Sequence, residues 1–133
     1  MNRTKAREYA FILIFQYKFQ PEDIRAIFDE FAAEYEPGNQ KEYIEKVVMG
    51  VAQNTENIDE VIAGAAKGWD ISSISCVSLA VLRLAVYEIM YCDDIPGAVS
   101  VNEAVSLAKK YDSDEAAPFV NGVLGGLDGV RER

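Results

Sequence analysis

The chain has 133 residues, half of them hydrophobic, which is enough for one domain with a buried core. Its 13 basic and 22 acidic residues give a net charge of −9, which by itself argues against a polyanionic ligand. Histidine, the commonest general base and metal ligand, is absent, and the two cysteines form no CxxC pair. We therefore expect neither a hydrolytic triad nor a zinc site, and no cofactor.

Two features indicate a cytoplasmic protein. Cys76 and Cys92 fall in or near one predicted helix, where sixteen residues at about 1.5 Å each place them roughly 24 Å apart. That separation exceeds the reach of a disulfide, so reduced thiols are expected. The longest apolar run, residues 10–15, is far shorter than the roughly 20 residues of a membrane span, and we expect no membrane segment.

Positive charge is concentrated at the N terminus. Residues 1–20 contain Arg3, Lys5, Arg7 and Lys18 against one acid, Glu8, a local charge of +3, so the remainder carries −12. Arg3 and Arg7 are one helical turn apart and are expected to present together. Such side chains displace counterions from RNA phosphates, although a few charges at a helix start are also typical of an ordinary solvated helix.

Helical periodicity dominates the first half. A first helix is predicted over about residues 4–18 with two apolar faces, of which the second contains Phe11, Ile14 and Phe15. Two apolar faces indicate a helix that is central to the core or partly turned toward a partner, and we favour the core. A second helix is predicted to begin at Pro21, whose fixed φ suits a first helical turn.

Turn formers at residues 36–39 precede a restart of the apolar pattern. The pattern predicts one long helix to about Ile62, bent between Gly50 and Asn57. A further break at residues 68–70 is the predicted boundary between two helical subdomains, about 1–68 and 69–133, of a single domain spanning 1–133.

Three helices are predicted after this break. Residues 76–91 are almost entirely apolar, as expected for a helix surrounded by other helices. Ser100 and Glu103 form a capping-box pattern that predicts the start of a helix ending near Tyr111. The last predicted helix covers about residues 115–130.

That last segment contains Gly122, Gly125, Gly126 and Gly129, each costing about 1 kcal/mol relative to alanine in a helix. Close approach of another helix backbone would compensate for this cost. A frayed end is the alternative.

An ordered series of motifs in the second half resembles the NusB family. The motifs are Leu82-Arg83-Leu84-Ala85-Val86-Tyr87-Glu88, Ile95-Pro96, Val101-Asn102-Glu103-Ala104-Val105, Leu107-Ala108-Lys109 and Phe119-Val120-Asn121-Gly122-Val123-Leu124. The first half agrees more loosely, through Ala6-Arg7-Glu8 and Gly50-Val51 with Ile58-Asp59. The resemblance therefore covers nearly the whole chain.

The resemblance implies an all-α fold of about seven helices in two packed small bundles, and no catalysis. Members of the family bind the boxA element of nascent RNA together with NusE, a small-subunit ribosomal protein. They help to build an RNA polymerase antitermination complex that transcribes rRNA processively. We expect this function and these partners here, and a homodimer is left open.

The residues expected to bind RNA combine the basic N terminus with positions that match the family. They are Arg3, Lys5, Arg7, Lys109, Lys110, Phe119 and Asn121. Phe119 and Asn121 match positions implicated in RNA contact in the family, and an exposed aromatic ring can stack on a base while an amide bonds to a polar base edge. Core packing and helix capping are the alternative roles. Lys109 and Lys110 extend the basic path if the last helices pack beside the first, or are ordinary helix C-terminal charges.

Phe15 and Ser78 match family positions that face the ribosomal protein. Position 78 is commonly acidic in the family, and serine cannot form the corresponding ion pair, so we expect an altered or reduced partner contact. The N-terminal segment also has fewer arginines than is usual in the family, which predicts weak intrinsic RNA affinity.

Three other functions are compared with features of the sequence: a protein-interaction module, a domain of an rRNA methyltransferase and a metal-binding helical bundle. The acidity favours a helical protein-interaction or homodimerisation module with weak or lost specific RNA binding. The RNA-binding domain that precedes rRNA cytosine methyltransferases is similar, but without a glycine-rich cofactor domain we expect a freestanding protein. A carboxylate-bridged metal bundle normally uses Glu-x-x-His ligation, which a sequence without histidine cannot supply.

One polar cluster of the second half is interpreted as structural. It comprises Arg83, Glu88, Asn102 and Glu103. A buried arginine needs carboxylate and amide partners to avoid an unpaired charge, which explains such a set without catalysis.

Overall fold

The computed structural model describes residues 1–127, and within this range the chain is all-helical without a β-strand. Its seven helices are α1 Arg3–Phe19, α2 Ile24–Tyr35, α3 Lys41–Gln53, α4 Thr55–Ala65, α5 Cys76–Tyr91, α6 Gly97–Tyr111 and α7 Ala116–Gly125. The predicted all-α class is confirmed. None of the described helices is long and apolar enough to cross a membrane.

Helix α1 begins at Asn2, whose side-chain oxygen accepts a hydrogen bond from the Lys5 backbone N–H at 2.8 Å. It packs against α2, α3 and α5. Phe11 and Ile14, on the second apolar face, are both buried, so the core interpretation is confirmed for them. Phe15 on the same face is only partly buried, and Ile12 is 38% exposed, so part of the apolar surface of α1 lies outside the core.

The helix predicted after the turn is divided into α3 and α4 at Asn54, inside the segment 50–57 where a bend was predicted, so one continuous helix is wrong but the place of its disruption is confirmed. The Asn54 side-chain amide donates to the Gly50 carbonyl at 2.7 Å, and the Thr55 hydroxyl donates to the Val51 carbonyl at 2.7 Å. These side chains occupy carbonyls at the end of α3 and thereby favour a helix boundary over continuation.

Helix α5 is the centre of the fold and packs against α1, α3, α4, α6 and α7. Its N terminus is capped by Ser75, whose hydroxyl oxygen accepts from the Ser78 backbone N–H at 3.1 Å. Nearly all of its residues are buried, as the apolar run predicts. Cys76 and Cys92 lie at its two ends, and no disulfide joins them.

The capping-box prediction for Ser100 and Glu103 is wrong. Helix α6 already begins at Gly97, and Ser100 is a buried residue whose hydroxyl donates to Glu88 at 2.7 Å. The local pattern is overridden because a buried carboxylate of α5 needs a donor at this point.

The glycines of α7 are not explained by close helix packing. A Cβ atom added at Gly122, Gly125 or Gly126 would meet nothing within 4 Å. Gly129 and the predicted end of this helix lie outside the described residues. By contrast, a Cβ on Gly50 of α3 would lie 2.2 Å from the Tyr87 ring of α5, so here a glycine does permit close approach.

Apolar residues from all seven helices form one continuous core. Helix α1 contacts both α3 and α5, so the N-terminal helix joins the two halves of the chain. The break after α4 contains Gly68 with φ of +84°, a left-handed conformation that favours glycine. The division into two subdomains at this break stays a prediction.

Candidate nucleic-acid interface

Arg3 is exposed at the start of α1 but is held in place by two contacts. Its Nε donates to the Gln40 side-chain oxygen at 2.8 Å, and its guanidinium lies 4.1 Å from the centre of the Tyr43 ring. The adjoining cleft has a volume of about 260 Å³ and includes Asn39 and Lys46. The N-terminal cation is thereby presented in a fixed position beside a further lysine and an amide that the sequence did not single out.

Lys5 and Lys110 meet at one carboxylate. Lys5 Nζ lies 2.7 Å from Glu8 Oε1, and Lys110 Nζ lies 2.6 Å from Glu8 Oε2. Hydrogen bonds from Lys110 and then Lys5 lower the pKa of Glu8 from 4.5 to about 2. Helix α6 therefore does bring Lys110 beside the basic start of α1, as the basic-path prediction requires, while Lys109 is exposed on the same turn.

The prediction that Arg7 is presented together with Arg3 is wrong. Arg7 is 3% exposed, and its Nε donates to the fully buried Glu88 at 2.8 Å. A second ion pair joins Arg7 to Glu103 at 3.4 Å. Arg7 is turned inward because α1 packs across α5, and its charge balances a carboxylate that water cannot reach.

Glu88 organises a polar network beneath the interface. Besides Arg7 it accepts hydrogen bonds from the Tyr43 hydroxyl and from Ser100, and so ties α1, α3 and α6 to α5. Burial and the Glu88 charge raise the pKa of Tyr43, which keeps its hydroxyl a donor. Throughout residues 1–127 every buried side-chain polar atom has a hydrogen-bond partner.

The polar cluster predicted in the second half is divided in the structure, because Arg83 and Glu103 bind different partners, although both sets of contacts fit a structural role. Arg83 makes a bidentate contact with Asp59, at 2.9 and 2.8 Å. Glu103 accepts from the Thr4 hydroxyl at 2.9 Å in addition to its ion pair with Arg7. Asn102 is exposed and lies outside these contacts.

Phe119 and Asn121 lie on α7. Phe119 is half-buried, and its ring makes an edge contact with Trp69 at 5.3 Å between centroids. Trp69 is 54% exposed, and the two rings border a surface cleft of about 230 Å³ that also contains Glu115. Asn121 is exposed, so neither core packing nor a capping bond accounts for it. An aromatic edge and an amide are thus available to a ligand.

The two residues predicted to face a protein partner differ in exposure. Phe15 is half-buried, lies 5.3 Å from the Phe19 ring and borders an apolar cleft of α1. Ser78 is 3% exposed and donates to the Asp112 carboxylate at 2.7 Å, to which Ser75 also donates. These hydrogen bonds lower the pKa of Asp112. An acidic group therefore lies beside Ser78, supplied by the residue that follows α6.

Asp112, Glu8, Gln40 and Trp69 are the functional candidates that sequence reasoning missed. Their partners lie between 3 and 102 positions away along the chain, and most of these contacts have no local sequence signal. The spacing of Lys5 and Glu8 at i,i+3 was the one recognisable signal. Among the described residues no group of three or more acids or cysteines is placed to hold a metal ion.

These helices and surfaces define an all-α binding protein, with a cationic and aromatic face over a buried ionic network. The model of the NusB family matches residues 4–128. The chain belongs to the NusB family.

The chain matches known relatives over most of their length. The chain is 45% identical over 126 residues to the transcription antitermination protein NusB of Acetivibrio thermocellus, covering 94% of this chain and 87% of the relative. Its fold is similar to NusB of T. maritima with a TM-score of 0.89 and 32% identity, over 97% and 92% of the two chains. It is also similar to a chain from a crystal structure of the antitermination factors NusB and NusE with dsRNA, with a TM-score of 0.85 and 28% identity over 98% and 99%.

Proposed function

We propose that this protein is a transcription antitermination factor that binds boxA-like RNA together with the ribosomal protein NusE. It supports processive rRNA transcription as part of an RNA polymerase antitermination complex. The observation that carries the proposal is the surface where the N terminus of α1 meets α6, presenting Arg3, Lys5 and Lys110 on a NusB-family fold. The role is cytoplasmic and non-enzymatic.

RNA contact is divided between two kinds of side chain. Arg3, Lys5, Lys109 and Lys110 are exposed cations that neutralise phosphates, a contribution that is independent of sequence and sensitive to salt. Phe119 and Asn121, on α7, supply stacking and hydrogen bonding to unpaired bases, the usual basis of sequence-specific RNA recognition. Arg7 supports this surface from beneath.

NusE contact is assigned to the face formed by Phe15 and Asp112, with Ser78 buried behind the Asp112 carboxylate. Phe15 contributes apolar area, and Asp112 provides the carboxylate that Ser78 cannot. A basic side chain of the partner would pair with Asp112, whose negative charge is stabilised by two serine hydroxyls. The acidic group expected to be missing at Ser78 is therefore supplied by Asp112, at a different position of the same face.

A fluorescence anisotropy titration tests the RNA arm, with a labelled boxA oligonucleotide and a scrambled one, each with and without NusE. We expect preference for boxA, strengthened by NusE, and a salt slope that Arg3→Ala flattens by about 0.7. Lys18→Ala is the matched control, because Lys18 lies on the same helix about 22 Å from Arg3. Equal binding of both oligonucleotides in the presence of NusE would refute the function.

The partner arm is tested by Asp112→Asn against Asp114→Asn. Both variants remove one negative charge, but Asp114 is exposed in the α6–α7 connection and has no assigned contact with the partner. NusE affinity, measured by calorimetry, is expected to fall for Asp112→Asn alone. Equal affinities of the two variants would remove Asp112 from the NusE contact.

A further inference from the structure

Glu8 has an unusual place in the cationic surface. Each of its two carboxylate oxygens accepts a hydrogen bond from one lysine, Lys5 at 2.7 Å and Lys110 at 2.6 Å. The Glu8 side chain is 11% exposed, whereas those of Lys5 and Lys110 are 51% and 60% exposed. The acid therefore lies beneath two cations that remain open to solvent.

A phosphodiester presents the same chemistry to lysine as this carboxylate does. Both are monoanions that share one negative charge between two acceptor oxygens, and both form short charge-assisted hydrogen bonds with ammonium groups. The Lys5–Lys110 pair is thus suited to one RNA phosphate, but the anion that it holds in this structure is internal.

We propose that Glu8 competes with RNA phosphate for Lys5 and Lys110, and that this competition restrains sequence-independent RNA binding. The inference rests on the proposed function. Because Glu8 offsets one of the two lysine charges, the pair releases fewer counterions when RNA binds, and the carboxylate repels the phosphate. Discrimination then depends on Phe119, Asn121 and the partner protein, which recognise features other than charge.

The test is Glu8→Gln, with Glu45→Gln as matched control. Glu45 also pairs with a cation, Arg25 at 2.7 Å, so both changes remove one paired negative charge, but the cation of Glu45 is neither Lys5 nor Lys110. For Glu8→Gln we expect the salt slope with single-stranded RNA to steepen by about 0.7, for the one lysine charge that Glu8 no longer offsets, equivalent to about 5-fold tighter binding near 0.1 M salt. Glu45→Gln should change affinity less than 2-fold, roughly the effect of one remote screened charge.

Two further results are expected. The gain should be equal for boxA and scrambled RNA, because phosphate contacts carry no sequence information. Lys110→Gln should weaken binding more in the Glu8→Gln background than in the parent, because Glu8 no longer competes with the phosphate for Lys110 in that background. Circular dichroism melts verify folding, and Glu8→Ala provides a second neutral side chain if the glutamine variant does not fold.

Different measurements refute the competitor role of Glu8 and the proposed function. Unchanged or weaker RNA binding by folded, neutral Glu8 variants would overturn the competitor role, and Glu8 would then be a residue that positions the lysines. Equal affinity of the parent for boxA and scrambled RNA with NusE present would refute the function. A gain for Glu8→Gln under that same condition would still support the competitor role.

Discussion

Replacing Arg7 by methionine should destabilise the protein strongly, because it leaves the Glu88 carboxyl group buried without its cation. The Arg7 side chain is 4% exposed and that of Glu88 is 0% exposed, with 2.8 Å between Nε and Oε2. Removing one partner of such a buried pair costs about 3–5 kcal/mol. For a domain of this size that corresponds to a fall of roughly 10–20 °C in Tm.

Urea unfolding followed by circular dichroism measures the loss, and a double-mutant cycle assigns it. In Arg7→Met/Glu88→Met both charges are absent, and we expect the double variant to regain at least about 2 kcal/mol relative to Arg7→Met. Arg25→Met serves as control, since its ion pair with Glu45 is solvent-exposed and its loss should barely change the unfolding midpoint. If Arg7→Met were as stable as Arg25→Met, the buried network would not hold α1 in place.

Four further outcomes are expected. Phe119→Ala should weaken boxA binding by about 1–3 kcal/mol per stacked base, and an unchanged Kd in the anisotropy titration would rule out stacking. Gly50→Ala should cost about 1–3 kcal/mol in urea unfolding, because its Cβ would lie 2.2 Å from the Tyr87 ring, and a more stable variant would contradict that contact. Gly122→Ala should instead stabilise by up to about 1 kcal/mol, since its Cβ meets nothing within 4 Å, and a loss would indicate an unrecognised neighbour. Because the pKa of Glu8 is lowered from 4.5 to about 2, its stabilisation is present above pH 4.5 and is lost as the pH falls through 2, so the unfolding free energies of the parent and Glu8→Gln should converge over that range.

Local sequence signals predicted most of the helices but not all of their ends. The apolar run of residues 76–91 matches α5 because a helix surrounded by others needs apolar residues on every side. The division at Asn54 was also encoded locally, in amide and hydroxyl side chains that bond to the preceding turn, but apolar periodicity alone continued through it. Ser100 and Glu103 have the spacing of a capping box, but the helix begins at Gly97, three residues before Ser100.

Some residues of the candidate site could likewise be identified from the sequence, and others could not. The cationic N terminus, and through family resemblance Phe119 and Asn121, were identified from sequence, and all except Arg7 lie where a ligand can reach at least part of the side chain. The Asp112 carboxylate beside Ser78 could not be predicted, since 34 positions separate the two residues along the chain.

The sequence alone determined the helical class, the central apolar helix and the concentration of positive charge at the N terminus, because these depend on composition and on periodicity over a few turns. Only the tertiary structure decided what each charge does. Arg7 faces Glu88, 81 positions away, and became an internal counterion, while Lys5 and Lys110 share Glu8 at the surface. The physical reason is that the effect of a charge depends on its exposure and on its nearest opposite charge, and both are set by how the helices pack.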